Sequence, residues 1–369
     1  MKKIFVFLLA LALLSMVFVG CKDAARTEDM MNPTDTSAPK KVVMLTYGNL
    51  GDKGFNDSCA EGMERLKNEY GCEIKVLEMG RDETAYETYL RDVSEGDWDL
   101  IIASTWSVLE TFQRVAKDYP DKNYLFLDGS TDCDNMIGIS YKSNETGFMA
   151  GALAALQLNA GGEKIDPDKR IVGCVASMDS ANLNDFVVGY IDGVLYVDNT
   201  IKIITAYVGS FEDVATCMEM TTQLYNQGAQ IVYAPTSQSM LGAITASSNS
   251  DKYIIACDTD VYAGMVDADA NIVRNILSSS LKRVGDSIVL AATSLWDGSM
   301  KLGENYTLGL AENTVGLADN TNYRSMVREE DRKELDAIAA KVASGEIVVR
   351  SALAMETSEI EALRNSVKP

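Results

Sequence analysis

The chain has 369 residues, 33 basic against 54 acidic side chains for a formal charge of −21, and no histidine at all. It is long enough for two domains with large cores. The acidic balance opposes nucleic-acid binding and leaves any phosphorylated ligand in need of a local basic pocket. The missing histidines exclude Ser-His-Asp and Cys-His catalysis and His-ligated metal sites.

In chain order, Lys2 and Lys3 precede an apolar run over 4–14, and Gly20 stands just before Cys21. That pattern marks residues 1–20 as a targeting leader rather than part of the fold. It resembles a bacterial lipoprotein signal, in which Cys21 is lipidated and becomes the mature N-terminus. Phe18 stands where such signals usually carry leucine, and a signal anchor or an ordinary cleaved leader is the alternative. Residues 21–40 are polar, hold Pro33 and Pro39, and read as a flexible tether. Beyond the leader, no stretch is long and apolar enough to span a bilayer.

Residues 41–58, KVVMLTYGNLGDKGFNDS, read as a short apolar strand at 42–45, a glycine-punctuated loop, and a helix entered through Asn56, Asp57 or Ser58. A loop leaving the carboxyl end of the first strand of an open parallel sheet lies where small ligands bind. This one carries an acid (Asp52), a ring (Phe55) and an amide (Asn56), a set suited to a flat ligand with polar edges. Further strands are expected at 74–77, 100–103, 124–127 and 137–140, then at 171–175, 201–207, 231–234 and 253–257. Amphipathic stretches at 60–70, 108–118, 185–197 and 215–227 lie between them. Such alternation implies parallel sheets with right-handed crossovers, and two successive series imply two lobes around a cleft. Their boundary falls near the small-residue helix 147–158. Cys59, Cys72, Cys133, Cys174, Cys217 and Cys257 form no CxxC pair. Cys174 and Cys257 sit in apolar strand-like runs and read as small buried hydrophobes; spacing leaves the disulfides open.

An enzyme reading would make Gly48, Gly51 and Gly54 a dinucleotide loop. Their spacing is GxxGxxG rather than GxGxxG, and Glu78 is the sole strand-end candidate for the acid required some twenty residues on. No serine or cysteine sits in a nucleophile motif, so a catalytic role is not expected.

The segments GDKGFNDS (51–58), YLFLDG (124–129), YKSNETGFMAGALAA (141–155), YVGSFED (207–213), ACDTD (256–260) and SSLKRVGD (279–286) occur in this order. Together, over roughly residues 41–350, they resemble the basic membrane protein family of substrate-binding lipoproteins, whose best-understood members bind purine nucleosides for ABC transporters. The resemblance implies an α/β, type I periplasmic-binding-protein fold: two doubly wound parallel-sheet lobes joined by three crossovers around a ligand cleft. The first lobe is expected over 41–145 plus about 260–300, and the second over 146–259 plus about 301–369. It also implies a purine nucleoside ligand, an ABC permease partner, a lipid anchor holding the protein to a membrane in the extracytoplasmic cell envelope, and no cofactor.

Carried over by residue, the resemblance makes Phe55 and Phe211 opposite walls of a base site, each worth about 1–3 kcal/mol in stacking. Asp128, at a strand end, would accept from base N–H groups. Asn56 would read or position the base edge with Asp52 in support, although both also suit turn and cap roles. Asp258 would accept ribose hydroxyls, with Asp260 the alternative. Lys282, expected on a helix, would donate to the ribose or balance the acids. The chain departs from the family at 235–239 (Pro-Thr-Ser-Gln-Ser for a glycine-rich turn), at Ala176-Ser177 (for Gly-Gly) and at Trp106, where a smaller residue or phenylalanine is expected. Side chains at 236–239 could replace backbone contacts, and Trp106 could narrow the base site or pack the core. A binding lipoprotein for a sugar or a signalling molecule is the competing reading.

Overall fold

The computed structural model describes residues 38–52 and 54–369. Cys21 and the leader lie outside the described residues. The first strand, β1 (Lys41–Thr46, KVVMLT), is apolar almost throughout and buried. That pattern belongs to a strand covered on both faces, not to a half-exposed alternating one. The chain continues through α1 (Phe55–Tyr70), β2 (Glu73–Glu78), α2 (Tyr86–Glu95), β3 (Leu100–Ser104), α3 (Trp106–Asp118), β4 (Tyr124–Leu127) and β5 (Met136–Tyr141). These strands are all parallel. β2 is the sheet edge, and its EIKVLE sequence puts charge there, which discourages further pairing.

The chain then crosses to the second lobe through α4 (Ser143–Ala160), β6 (Ile171–Ala176), α5 (Ala181–Val197), β7 (Lys202–Tyr207), α6 (Val214–Asn226), β8 (Ile231–Tyr233), α7 (Met240–Ser250), β9 (Tyr253–Asp258), α8 (Val261–Met265), α9 (Ala270–Val273) and β10 (Ile276–Lys282). It returns to the first lobe for α10 (Val284–Asp297) and β11 (Asn305–Leu308). It ends in the second with β12 (Val315–Leu317), α11 (Thr321–Met326), α12 (Glu329–Ala343) and α13 (Thr357–Ser366). The sheet orders are β11-β5-β4-β3-β1-β2 and β12-β10-β9-β8-β6-β7. The orders superpose term by term: β4 corresponds to β9, β5 to β10. Among the described strands, only β12 runs antiparallel to its neighbour.

Three crossovers therefore join the lobes, at 142, 283 and 309–314, and they are bonded to one another. Lys142 N–H donates to the Leu308 carbonyl (2.9 Å) and Arg283 N–H to that of Thr314 (2.8 Å). Leu310 N–H donates to Glu145 Oε2 (2.8 Å).

The expected strands are all present, but the returning segment differs. Residues 276–282 form β10 beside β9 in the second sheet, so the first lobe regains the chain over 284–308 rather than 260–300. Lys282 correspondingly ends a strand and is not on a helix. Its run, ILSSSLK, contains three serines, which hides a strand from hydrophobic patterning; the core accepts them because Ser278 donates to the Ala318 carbonyl (2.8 Å) and Ser280 pairs with Tyr233 Oη (2.8 Å).

The small-residue helix α4 packs against α5 through glycines. Gly147 and Gly151 face the Phe186 and Tyr190 carbonyls, while Gly189 and Gly193 face those of Asn144 and Phe148. Any Cβ at these places would overlap backbone. Asp185, buried near the start of α5, accepts from Asn144 N–H (2.8 Å), Ser351 Oγ (2.7 Å) and Ala352 N–H (2.9 Å). It thus ties both helices to the C-terminal segment. All six described cysteines are buried and free.

Candidate functional site

The carboxyl ends of both sheets face a cavity of about 640 Å³. Its walls carry Tyr47, Asp52, Phe55, Asn56, Arg81, Asp128 and Tyr141 from the first lobe, and Ser177, Phe211, Glu212, Ser237, Gln238, Asp258 and Lys282 from the second. The loop after β1 reaches this place because Gly48 and Gly51 adopt φ of +79° and +92°. Gly48 N–H donates to the Gly80 carbonyl (2.9 Å) and Leu50 N–H to Glu78 Oε2 (2.8 Å). Glu78 is therefore a loop anchor.

Asp52 is spent locally. Its carboxylate accepts from the N–H groups of Gly54 (2.9 Å), Asn56 (3.0 Å) and Asp57 (3.1 Å). It satisfies donors at the start of α1, which no N-cap side chain serves. The helix starts at Phe55 after Gly54, so Asn56, Asp57 and Ser58 are not its entry cap. Asn56 Nδ2 donates to the carbonyls of Tyr47 (2.9 Å) and Asn49 (3.3 Å), which fixes the loop. The effect is to hold Phe55 at the first turn of a helix, half-buried on the cavity wall. Phe211, between β7 and α6, is held from the other lobe by its carbonyl accepting from Ser239 N–H (2.9 Å).

Asp128 and Asp258 occupy equivalent places at the ends of β4 and β9, with left-handed φ of 70° and 71°. Non-glycine residues rarely adopt this conformation, aspartate among the least reluctantly. Two matched outliers on one cavity mark a place where the backbone accepts strain to aim side chains. Lys282, only 5 % exposed, lies at the end of β10 and donates to Asp128 Oδ1 at 2.7 Å. Its ammonium also sits 4.8 Å from the Tyr141 ring centre and 5.5 Å from that of Phe55. Burial pulls the Lys282 ammonium down, but Asp128 and Asp258 outweigh it and hold the group above its ordinary value. Burial pushes the Asp258 carboxyl up, with Lys282 opposing.

Asp260 is not on the cavity wall. It caps α8, accepting from Ala263 N–H (3.1 Å) and Asn320 Nδ2 (2.7 Å). Trp106 opens α3, and its side chain lies outside what is described. In the 235–239 turn, Ser237 and Gln238 reach the cavity, whereas Thr236 and Ser239 turn into the core.

Sequence reasoning missed Arg81 and Glu212, which form an ion pair from opposite lobes at the cavity wall. Arg81 also stacks on Tyr47 (5.2 Å). The available signal was position, since both follow edge strands that correspond, β2 and β7. Tyr141, within a quoted motif, was likewise passed over although it ends β5. Among the described residues no group of three or more metal-ligating side chains comes together, and no helix is long and apolar enough to cross a membrane.

Comparison with known proteins agrees with this architecture. Basic membrane protein A of Borreliella burgdorferi is 27 % identical over 355 residues, covering 93 % of this chain and 95 % of that protein. The CD4+ T-cell-stimulating antigen of Listeria innocua is 24 % identical, covering 94 % and 98 % respectively. An ABC-transporter solute-binding protein structure from Aeropyrum pernix K1 superposes with a TM-score of 0.73 over 89 % of this chain and 100 % of that one. At 23 % identity, that likeness shows the fold. The family of PnrA-like ABC transporter substrate-binding proteins (Bmp) matches residues 39–352. Membership implies a ligand, a transporter permease as partner and an extracytoplasmic place of work, in a class of binding proteins rather than enzymes. With two lobes, three crossovers and a match over most of its length, the chain belongs to the Bmp family of ABC-transporter substrate-binding proteins.

Proposed function

We propose that this protein is a lipid-anchored receptor that captures purine nucleosides in the cleft and delivers them to an ABC permease. The observation that carries the reading is the pairing, in one cavity, of a phenylalanine from each lobe with a carboxylate–lysine–carboxylate row. The two rings would sandwich the base. Asp128, with one oxygen on Lys282, has its second to accept from base N–H donors. Asp258 would accept ribose hydroxyls, and Lys282 keeps two acids tolerable in a half-dry site. The two described cations on the wall, Arg81 and Lys282, are each already paired with an acid. Among the described residues no cation on the wall is therefore left unpaired for a phosphate, which favours nucleosides over nucleotides.

Asp52 and Asn56 support this site by shaping the loop that presents Phe55. Anchoring is assigned to Cys21, and Cys21→Ala would move the protein from the membrane to the soluble fraction. Calorimetric titration of residues 22–369 with guanosine, inosine, adenosine and a panel of sugars tests the ligand. Guanosine and inosine should bind at least as tightly as adenosine. Binding of a sugar and of no nucleoside would overturn the reading.

A further inference from the structure

Ser177 is one of three cavity-lining residues, with Ser107 and Tyr141, whose buried hydroxyl has no hydrogen-bond partner among the described residues, and that assignment leaves it unused. Ser177 follows β6, where the family resemblance calls for glycine. Its backbone is committed, since its N–H donates to the Pro235 carbonyl (3.2 Å) and its carbonyl accepts from Gly209 N–H (2.7 Å). The side chain is 0 % exposed and lines the cavity, yet Oγ meets no hydrogen-bond partner among the described residues. Buried hydroxyls without partners are few in folded proteins, because each forfeits its hydration with nothing in return. Ser177 also has a telling place in the sheet. It lies between β7, whose exit loop carries Phe211, and β8; Asp258 and Lys282 follow on the next two strands.

We propose that Ser177 Oγ hydrogen-bonds the bound ligand and contributes to its affinity, pairing with a heteroatom on the edge of the ring that Phe211 covers. The identity of that ring rests on the nucleoside reading, whereas the contact itself rests on the orphaned hydroxyl. A hydroxyl both donates and accepts, so an oxo or an amino edge satisfies it equally. Glycine at this position would leave the ring edge facing bare backbone whose own groups are already paired.

Ser177→Ala separates this role from a structural one by the sign of its effect. Removing an orphaned hydroxyl should leave the melting temperature of the ligand-free protein unchanged or raise it, while nucleoside affinity falls about 2- to 12-fold, the worth of one neutral hydrogen bond. Ser104→Ala is the control, because Ser104 Oγ is equally buried and unpartnered but does not line the cavity. It should behave alike without ligand and bind nucleoside as wild type does. The proposal is overturned if Ser177→Ala binds as tightly as wild type, if it lowers the ligand-free melting temperature, or if Ser104→Ala weakens binding equally. Should wild type bind a pentose and no nucleoside, the nucleoside reading fails. The Ser177 contact then stands or falls on whether Ser177→Ala weakens that pentose.

Discussion

Replacing Lys282 by methionine keeps the stem and removes the ammonium, leaving Asp258 without its counter-charge. Breaking a buried ion pair from one side costs about 3–5 kcal/mol. Asp128, the bonded partner, has a side chain 32 % exposed, so water recovers part of that loss and about 3 kcal/mol is expected. For a chain of this size, with an unfolding entropy of about 2.1 cal/mol/K per residue, the midpoint should fall by roughly 4 °C. The pH dependence is more telling. Asp258 is held above the ordinary carboxylate range by burial, with Lys282 pulling it down. A raised pKa means the folded state binds the proton more tightly than the unfolded one. Its stabilisation is present below the unfolded value and lost as pH rises through the folded value. Without Lys282 that loss is larger. The gap between wild type and Lys282→Met should therefore be small near pH 4, about the ordinary carboxylate value, and widen toward neutrality. Adding Asp258→Asn should recover part of the deficit. Thermal unfolding of wild type, both single variants and the double variant across this range is the assay. An unchanged midpoint at neutral pH, a gap independent of pH, or no recovery in the double variant would refute the charge-balance argument.

Phe55→Ala and Phe211→Ala should each weaken nucleoside binding by about tenfold or more, from the stacking lost per ring; calorimetry showing wild-type affinity in either would remove the sandwich. Gly189→Ala forces a methyl into the Asn144 carbonyl and should cost about 1–3 kcal/mol in denaturant unfolding, an unaltered midpoint being the contrary result. Glu212→Gln breaks the exposed inter-lobe pair with Arg81. Ligand release measured by stopped flow should quicken up to about 5-fold at low salt and match wild type at high salt; equal rates at low salt would deny the pair any hold on the cleft.

The alternating strands were legible because parallel strands buried on both faces show as unbroken apolar runs. Those runs also placed Asp128, Phe211 and Asp258 at strand exits, where side chains reach a cleft. The serine-rich β10 was not legible, since its hydroxyls are acceptable only beside the Ala318 carbonyl and Tyr233, partners 40 and 47 residues away in sequence. Lys282 was consequently expected on a helix. Acids offered the opposite difficulty. Asp52, Asp258 and Asp260 all stand in loop-like surroundings, yet Asp52 serves backbone donors and Asp260 caps a helix, while Asp258 lines the cavity. Which carboxylate meets ligand depends on which backbone N–H groups remain unserved, and that is decided by the path of the loop. Arg81 and Glu212 offered only their positions after corresponding edge strands, because each gains its meaning from a partner in the other lobe.

The three crossovers lie side by side and hold one another through main-chain and Glu145 hydrogen bonds. A single linker would permit twist, shear and swing. Three bonded linkers resist twist and shear and leave one soft coordinate, the swing that opens and shuts the cleft. Whatever contact free energy a ligand makes with both walls is then channelled into that coordinate alone. If the cleft shuts on its ligand, the outer faces of the lobes change their relative angle with it, and a permease that grips both lobes then senses a filled cleft without touching its contents.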